Sequence, residues 1–297
     1  MNRIKDQIRC GAAYRLGLTG KGIGVAVLDT GIFLHRDFDS RVIGFADMVN
    51  GKNFAYDDCG HGTHICGIIG GSGRMSGGRY SGIAPGCNLI MVKVLDRKGN
   101  GYSSDVLAGI SWVLERKEQL GIRILNISVG ACSKRGTSEN SALVKGVNRA
   151  WDAGLVVVVA AGNNGPRTMS ITTPGISRKV ITVGCSDDDR EVLVGGNRMV
   201  DYSGRGPTAA CICKPDLVAP GCSVVSCSSR ADKYTIKSGT SMSTPIVSGA
   251  VALLLERFPD MSNKDVKLRL RESSVDIGLP RNQQGWGLLD VGKMLER

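Results

Sequence analysis

The chain is poor in aromatic residues, 5% of its 297 positions, and has only three histidines. A surface that stacks nucleic-acid bases needs aromatic side chains among its basic ones, and no such pattern is present. No apolar run approaches the roughly 18 residues of a membrane span. Residues 1–8 lack the apolar core of a signal peptide. Nucleic acid and membrane are therefore not expected as partners. No CxxC pair occurs among the ten cysteines, and the tightest spacing, Cys211-Ile212-Cys213, is a poor metal motif. No linker, charge block or repeat divides the sequence. One domain is expected over residues 1–297, with 1–20 as an N-terminal segment.

A core of this size needs no disulfides, and Cys66, Cys185 and Cys227 fall in apolar stretches that suit buried free thiols. With no export signal, a reducing cytoplasm is the expected location. A secreted form is the alternative, if the chain is an excised mature domain. The net charge is +11, but Lys and Arg are scattered rather than gathered in a tract, which reads as a solvated basic surface. Glycine is abundant at 41 residues, so tight turns and close backbone approaches are expected.

The apolar pattern alternates between short buried runs and longer helical stripes. Residues 23–28, 89–95, 122–127, 155–161 and 180–183 read as strands buried on both faces, and residues 104–120, 143–151 and 262–273 as helices. This predicts a single doubly wound α/β domain with a mostly parallel central sheet flanked by helices. In such sheets ligands gather at the C-terminal edge of the strands. Asp29, Ser128 and Asn163 all lie just past strand ends.

Two helix starts complete the picture. His61 lies in Gly60-His61-Gly62-Thr63-His64, a turn leading into a helix. Ser241 lies in Gly239-Thr240-Ser241-Met242-Ser243-Thr244-Pro245, before an apolar helical run, with Pro245 suited to the first turn. Free N–H groups at a helix start favour negative charge. A serine hydroxyl is a weak nucleophile unless an imidazole takes its proton. A buried carboxylate can orient that ring and stabilise the imidazolium. Asp29, His61 and Ser241 are the candidates for such a relay.

These segments, together with Ala160-Ala161-Gly162-Asn163, Ser203-Gly204-Arg205-Gly206-Pro207-Thr208 and Lys214-Pro215-Asp216-Leu217-Val218-Ala219-Pro220-Gly221, resemble the motifs of the subtilisin-like serine proteases. The Asp, His, Ser order is that of subtilisin. The resemblance spans residues 11–290 and implies a serine endopeptidase acting through an acyl-enzyme. It implies Asp29 as triad acid, His61 as base and Ser241 as nucleophile. Asn163 would donate to the oxyanion beside the Ser241 N–H, and His64 would be structural. A peptide would lie as an added strand along Gly99, Asn100, Gly101 and Tyr102 and along Ser128, Val129 and Gly130. Ala160, Ala161 and Gly162 would form the other wall of the P1 pocket, with Thr240 beside the nucleophile. These walls carry no charge, which favours a neutral apolar or aromatic P1. Thr30 stands where the dibasic convertase branch has a second acid, which argues against that branch. Cys59, two residues before His61, places a thiol at the rim of the site.

The resemblance also implies a structural calcium, with Asp37 as one ligand. Residues 70–82, which should complete that site, contain no acid, and the chemistry itself needs no cofactor. Met1 stands almost at the catalytic domain with no visible pro-segment, which resembles the intracellular bacterial branch. The competing reading is a catalytically silent pseudoprotease that binds or signals; an intact triad argues against it. The expected partners are protein or peptide substrates, and the oligomeric state is left open.

Overall fold

Every residue of strand β1 (Gly24–Asp29) is buried, which is why its sequence is apolar without alternation. The computed structural model of the chain describes residues 1–130 and 139–296. Cys132 lies outside the described residues. Around β1 a seven-stranded sheet forms from β2 (Val42–Asp47), β3 (Asn88–Lys93), β4 (Ile122–Ile127), β5 (Val156–Ala160), β6 (Ile181–Cys185) and β9 (Leu217–Ala219). Its order is β2-β3-β1-β4-β5-β6-β9, and every pairing within it is parallel. Two antiparallel hairpins stand apart: β7 (Val192–Val194) with β8 (Asn197–Met199), and β10 (Val224–Cys227) with β11 (Tyr234–Lys237). The chain begins with α1 (Asn2–Gln7) and α2 (Gly11–Arg15) and ends with α7 (Asn263–Ser273), α8 (Arg281–Gln284) and α9 (Val291–Met294).

Helices cover both faces of the sheet. A Cβ placed on Gly62 of α3 (His61–Gly70) would meet Met91, whereas one on Gly109 of α4 (Ser103–Arg116) would meet Val92 and Leu28. Adjacent strand residues point to opposite faces, so α3 and α4 lie on opposite sides. α5 (Ala142–Asp152) packs beside α4, and the central helix α6 (Thr240–Arg257) packs beside α3 and across β4, β5 and β6. The domain is therefore doubly wound as expected, with a sheet that is wholly parallel.

One local reading changes and one strand is added. Pro245 lies inside α6, not in its first turn, because the helix already begins at Thr240. Proline lacks an N–H, so the Ser241 carbonyl four residues earlier loses its helical partner. β2, which lies outside the strands expected from the sequence, is an edge strand whose residues are mostly half-exposed. Ser262 caps α7 as expected, in a reciprocal box with Asp265. The nine cysteines among the described residues are free thiols, and only Cys211 and Cys213 are exposed.

Candidate active site

The strand order reverses direction at β1 and β4, and the ends of β1, β4 and β5 converge there. Asp29 ends β1, Ser128 follows β4, and Gly162 and Asn163 follow β5. The starts of α3 and α6 bring His61 and Ser241 to the same edge. His61, Ser128, Gly162, Asn163 and Ser241 line a cleft of ≈ 450 Å³, with Asp29 buried behind its wall.

Asp29 is fully buried, and its two carboxylate oxygens lie 2.8 and 2.9 Å from His61 Nδ1. Oδ1 also accepts from the Thr30 backbone N–H at 2.8 Å. The nitrogen facing Asp29 is therefore the protonated one, which leaves Nε2 as the basic atom. The surrounding turn is tied by Asp57, whose Oδ1 accepts from Thr30 Oγ1, Cys59 N and Gly60 N and whose Oδ2 accepts from Thr63 N and Oγ1. Behind it the buried Lys93 ammonium donates to Thr30 O, Leu95 O and Asp58 Oδ1 at 2.6–2.8 Å.

Burial disfavours the His61 imidazolium, but the Asp29 charge and hydrogen bond outweigh it and hold the pKa above its usual value. Lys237 and Asp57 pull in opposite directions with smaller effects. A raised pKa stabilises the fold fully below about pH 6.5, and that contribution is lost as pH rises through the folded value. Base catalysis has the opposite slope, because only neutral His61 can accept a proton. The acid limb of kcat/KM is expected to have a pKa above about 6.5. A pH–rate profile with its acid limb below that value contradicts the assignment of His61 as base.

Ser241 is the second residue of α6. Its Oγ donates to the Ser128 carbonyl at 2.7 Å, so the hydroxyl proton points at that carbonyl rather than at the imidazole. Ser128 Oγ accepts from Asn126 Nδ2, and Asn126 Oδ1 accepts from Ser248 Oγ, which joins α6 to the end of β4. Asn163 Oδ1 accepts from both the N–H and the hydroxyl of Thr240, each at 3.0 Å. That fixes the amide plane and turns its NH₂ toward the loop that carries Ser241. Gly239 has φ 139°, a conformation that favours glycine, and a Cβ there would come within 3.3 Å of Asn163 Nδ2.

Of the residues expected along the substrate, Gly99, Ser128, Val129, Gly130, Ala160, Gly162 and Thr240 line the cleft. Gly99, Gly101, Val129 and Gly130 also border an adjoining pocket of ≈ 220 Å³, closed by Leu95, Val106, Ile127 and Leu143. Tyr102 is 79% exposed and precedes α4 outside both pockets. Ala161 is turned away from the cleft into a cluster with Val144, Ile171 and Ile176, and contributes only its backbone. Cys59 is half-buried in the cleft wall.

Two cleft residues carry no sequence signal. Thr172 stands between the expected P1 walls, held by its N–H and hydroxyl to Ala161 O at 2.9 and 3.3 Å. A Cβ on either Gly130 or Gly162 would overlap it. Lys237, at the end of β11, lines the cleft near His61.

His64 and Asp37 serve elsewhere. His64 is buried and its pKa is pushed down to about 3, chiefly by burial and secondarily by Lys237 and His61. Its Nε2 donates to Val224 O and Thr235 O at 3.1 and 3.2 Å, tying α3 to the β10–β11 hairpin, while Nδ1 has no partner. Asp37 Oδ1 accepts from Met75 N at 2.9 Å, and Oδ2 accepts from the Tyr234 hydroxyl at 2.7 Å and from the Cys227 thiol at 3.7 Å. His35 Nδ1 accepts from Asp37 N. Calcium asks for six to eight oxygen ligands, whereas this carboxylate is surrounded by N–H, O–H and S–H donors.

The family model for the subtilase family, Peptidase_S8, matches residues 20–287. Serine protease AprX of Bacillus subtilis is 44% identical over 290 residues, covering 92% of this chain and 65% of AprX. Subtilisin Savinase of Lederbergia lenta is 34% identical over 286 residues, covering 96% of this chain and 95% of its own. Among solved structures, Sphericase superposes with a TM-score of 0.79 at 32% identity, covering 92% of this chain and 93% of that one. A cold-adapted subtilisin-like serine proteinase superposes at 0.75 with 29% identity, covering 92% and 90%. Sequence, sheet topology and the grouping of polar residues at one sheet edge agree: the chain belongs to the subtilase family of subtilisin-like serine proteases.

Proposed function

We propose that the chain is an endopeptidase whose Ser241 attacks the scissile carbonyl while His61 Nε2 takes the hydroxyl proton and Asp29 stabilises the imidazolium. The observation that carries this reading is the paired contact of a fully buried carboxylate with His61 Nδ1, beside a serine on the first turn of a long helix. The oxyanion forms between the Ser241 N–H and the Asn163 amide. His61 then returns its proton to the leaving amine, and water repeats the cycle on the acyl-enzyme. The steps need no metal or cofactor, and Asp37 acts as a structural acceptor rather than a calcium ligand.

The bond from Ser241 Oγ to Ser128 O fits a resting state. An extended substrate brings its own N–H to that carbonyl, and a hydroxyl rotor displaced from it is free to turn to His61. Labelling by a fluorophosphonate tests the reading. Label is expected on Ser241 and nowhere else, and a folded chain that takes none contradicts it.

The P1 side chain enters between Gly130 and Gly162. The walls are uncharged, but Thr172 fills the space between them, so a small neutral P1 fits better than an aromatic one. Truncation to Thr172→Ala or Thr172→Gly is expected to raise kcat/KM for a Phe P1 relative to Ala by about tenfold or more, the worth of a methylene or two in an apolar pocket. An unchanged Phe-to-Ala ratio, measured on peptide p-nitroanilides, removes Thr172 from the P1 site. The adjoining pocket takes an apolar side chain further along the acyl half. The substrates proposed are proteins or peptides presented as extended strands. Among the described residues no helix is long and apolar enough to cross a membrane.

A further inference from the structure

The acyl half of a substrate occupies the glycine-rich edges and the P1 space, so the leaving half must depart past His61, which supplies the amine with its proton. Beside His61 the cleft is lined by Thr30, Cys59 and Lys237. Lys237 alone among these carries a charge. Among the described residues, apart from His61, the ionic side chains lining the cleft are Lys237 and the exposed Lys98, and no carboxylate lines it.

The position of Lys237 is well determined by its surroundings. It ends β11 and pairs with Val224 of β10. The Val224 carbonyl, with that of Thr235, is fastened to α3 by buried His64. Lys237 is half-buried, and among the described residues it makes no ion pair. The nearby carboxylates are committed elsewhere. Asp29 is buried against His61, Asp57 receives five donors, and Asp58 pairs with Lys93. A cleft ammonium without a counter-charge favours a ligand that supplies one.

We propose that Lys237 selects substrates bearing Asp or Glu in the first one or two positions after the scissile bond. The proposal rests on the peptidase reading above, since it assigns a specificity to the leaving-group side of the same site. A carboxylate there meets the one unpaired ammonium of that wall, whereas a Lys or Arg meets like charge. The +11 surface adds a weaker long-range attraction for acidic substrates.

The test uses quenched fluorogenic peptides with one fixed acyl half and Glu, Gln or Lys as the first leaving-group residue. Wild type, Lys237→Gln and Lys237→Glu are compared at low and high salt. In wild type at low salt the kcat/KM ratio of Glu to Lys peptides is expected to be about ten, shrinking with added salt. It is expected to approach one in K237Q and to fall below one in K237E. The acid limb of the pH profile is also expected to move upward in both variants, because Lys237 opposes protonation of His61. That shift separates a charge effect from a distorted cleft. Equal Glu-to-Lys ratios in the three proteins overturn the role of Lys237 and leave the peptidase reading standing. A wild type that cleaves no peptide and takes no fluorophosphonate overturns both.

Discussion

Replacing Ser241 by alanine is expected to lower kcat by about 10⁶, with KM for a peptide substrate little changed. The size follows from the way the relay acts as a unit. Without the hydroxyl, His61 has no proton to take and Asp29 no imidazolium to stabilise. His61→Ala is therefore expected to cost nearly as much, and the double variant little more than either alone. Asp29→Asn is expected to cost about 10⁴, because an amide facing Nδ1 favours the wrong ring tautomer. The fold is expected to tolerate Ser241→Ala well, since among the described residues that side chain loses one hydrogen bond, to Ser128 O, worth about 1 kcal/mol. A thermal midpoint within a few degrees of wild type, with activity gone, separates chemistry from stability. Retention of more than a hundredth of wild-type kcat in folded S241A means that another group is the nucleophile.

How far this site is visible without coordinates depends on what each residue's neighbours in sequence are. Asp29 follows six consecutive apolar residues, a run short enough to suit a strand covered on both faces. Its place at a sheet edge is therefore legible, as is that of Asn163 after β5. His61 and Ser241 stand at helix starts beside glycines, which local rules also identify. The contacts that join them cross 32 residues between Asp29 and His61 and 77 between Asn163 and Thr240, and no local rule supplies these. What brings them together is the parallel sheet, which sets successive strand ends side by side.

The residues that escape notice do so for physical reasons. Lys237 lies on a four-residue strand that among the described residues pairs with β10 alone, and its segment carries neither a long apolar run nor a helical stripe. Thr172 sits in Thr172-Thr173-Pro174, which reads as an ordinary loop. Its importance comes from the two glycines it separates, Gly130 and Gly162, which approach it from different strands. The hairpin strands β7 and β8 have three residues each and are partly exposed, so burial imposes little pattern on them. Pro245 is the opposite case. The sequence rule for proline at helix starts is sound, but the nucleophile loop starts the helix several residues earlier. The proline then frees the Ser241 carbonyl without ending an otherwise buried helix.

Asn163→Ala is expected to lower kcat by about 10²–10³ and to leave KM within a factor of about three, the scale that losing one such donor has in subtilisin. The argument rests on how the amide is held. Its oxygen is engaged twice by Thr240, through the backbone N–H and through the hydroxyl, so the NH₂ is oriented before substrate arrives. A donor already in position needs no reorganisation when charge develops, and it acts on the tetrahedral oxyanion more than on the flat carbonyl. Thr240→Val separates orientation from donation. It removes the hydroxyl bonds to Asn163 and from Gly162 N while keeping the backbone N–H to Asn163 Oδ1. A loss in kcat of about tenfold is expected there, smaller than for N163A because one anchor persists. In the double variant the loss is expected to match N163A alone, since Thr240 acts on the oxyanion only through the amide it holds. If instead N163A raises KM at constant kcat, the amide binds the ground state and the oxyanion rests on the Ser241 N–H alone.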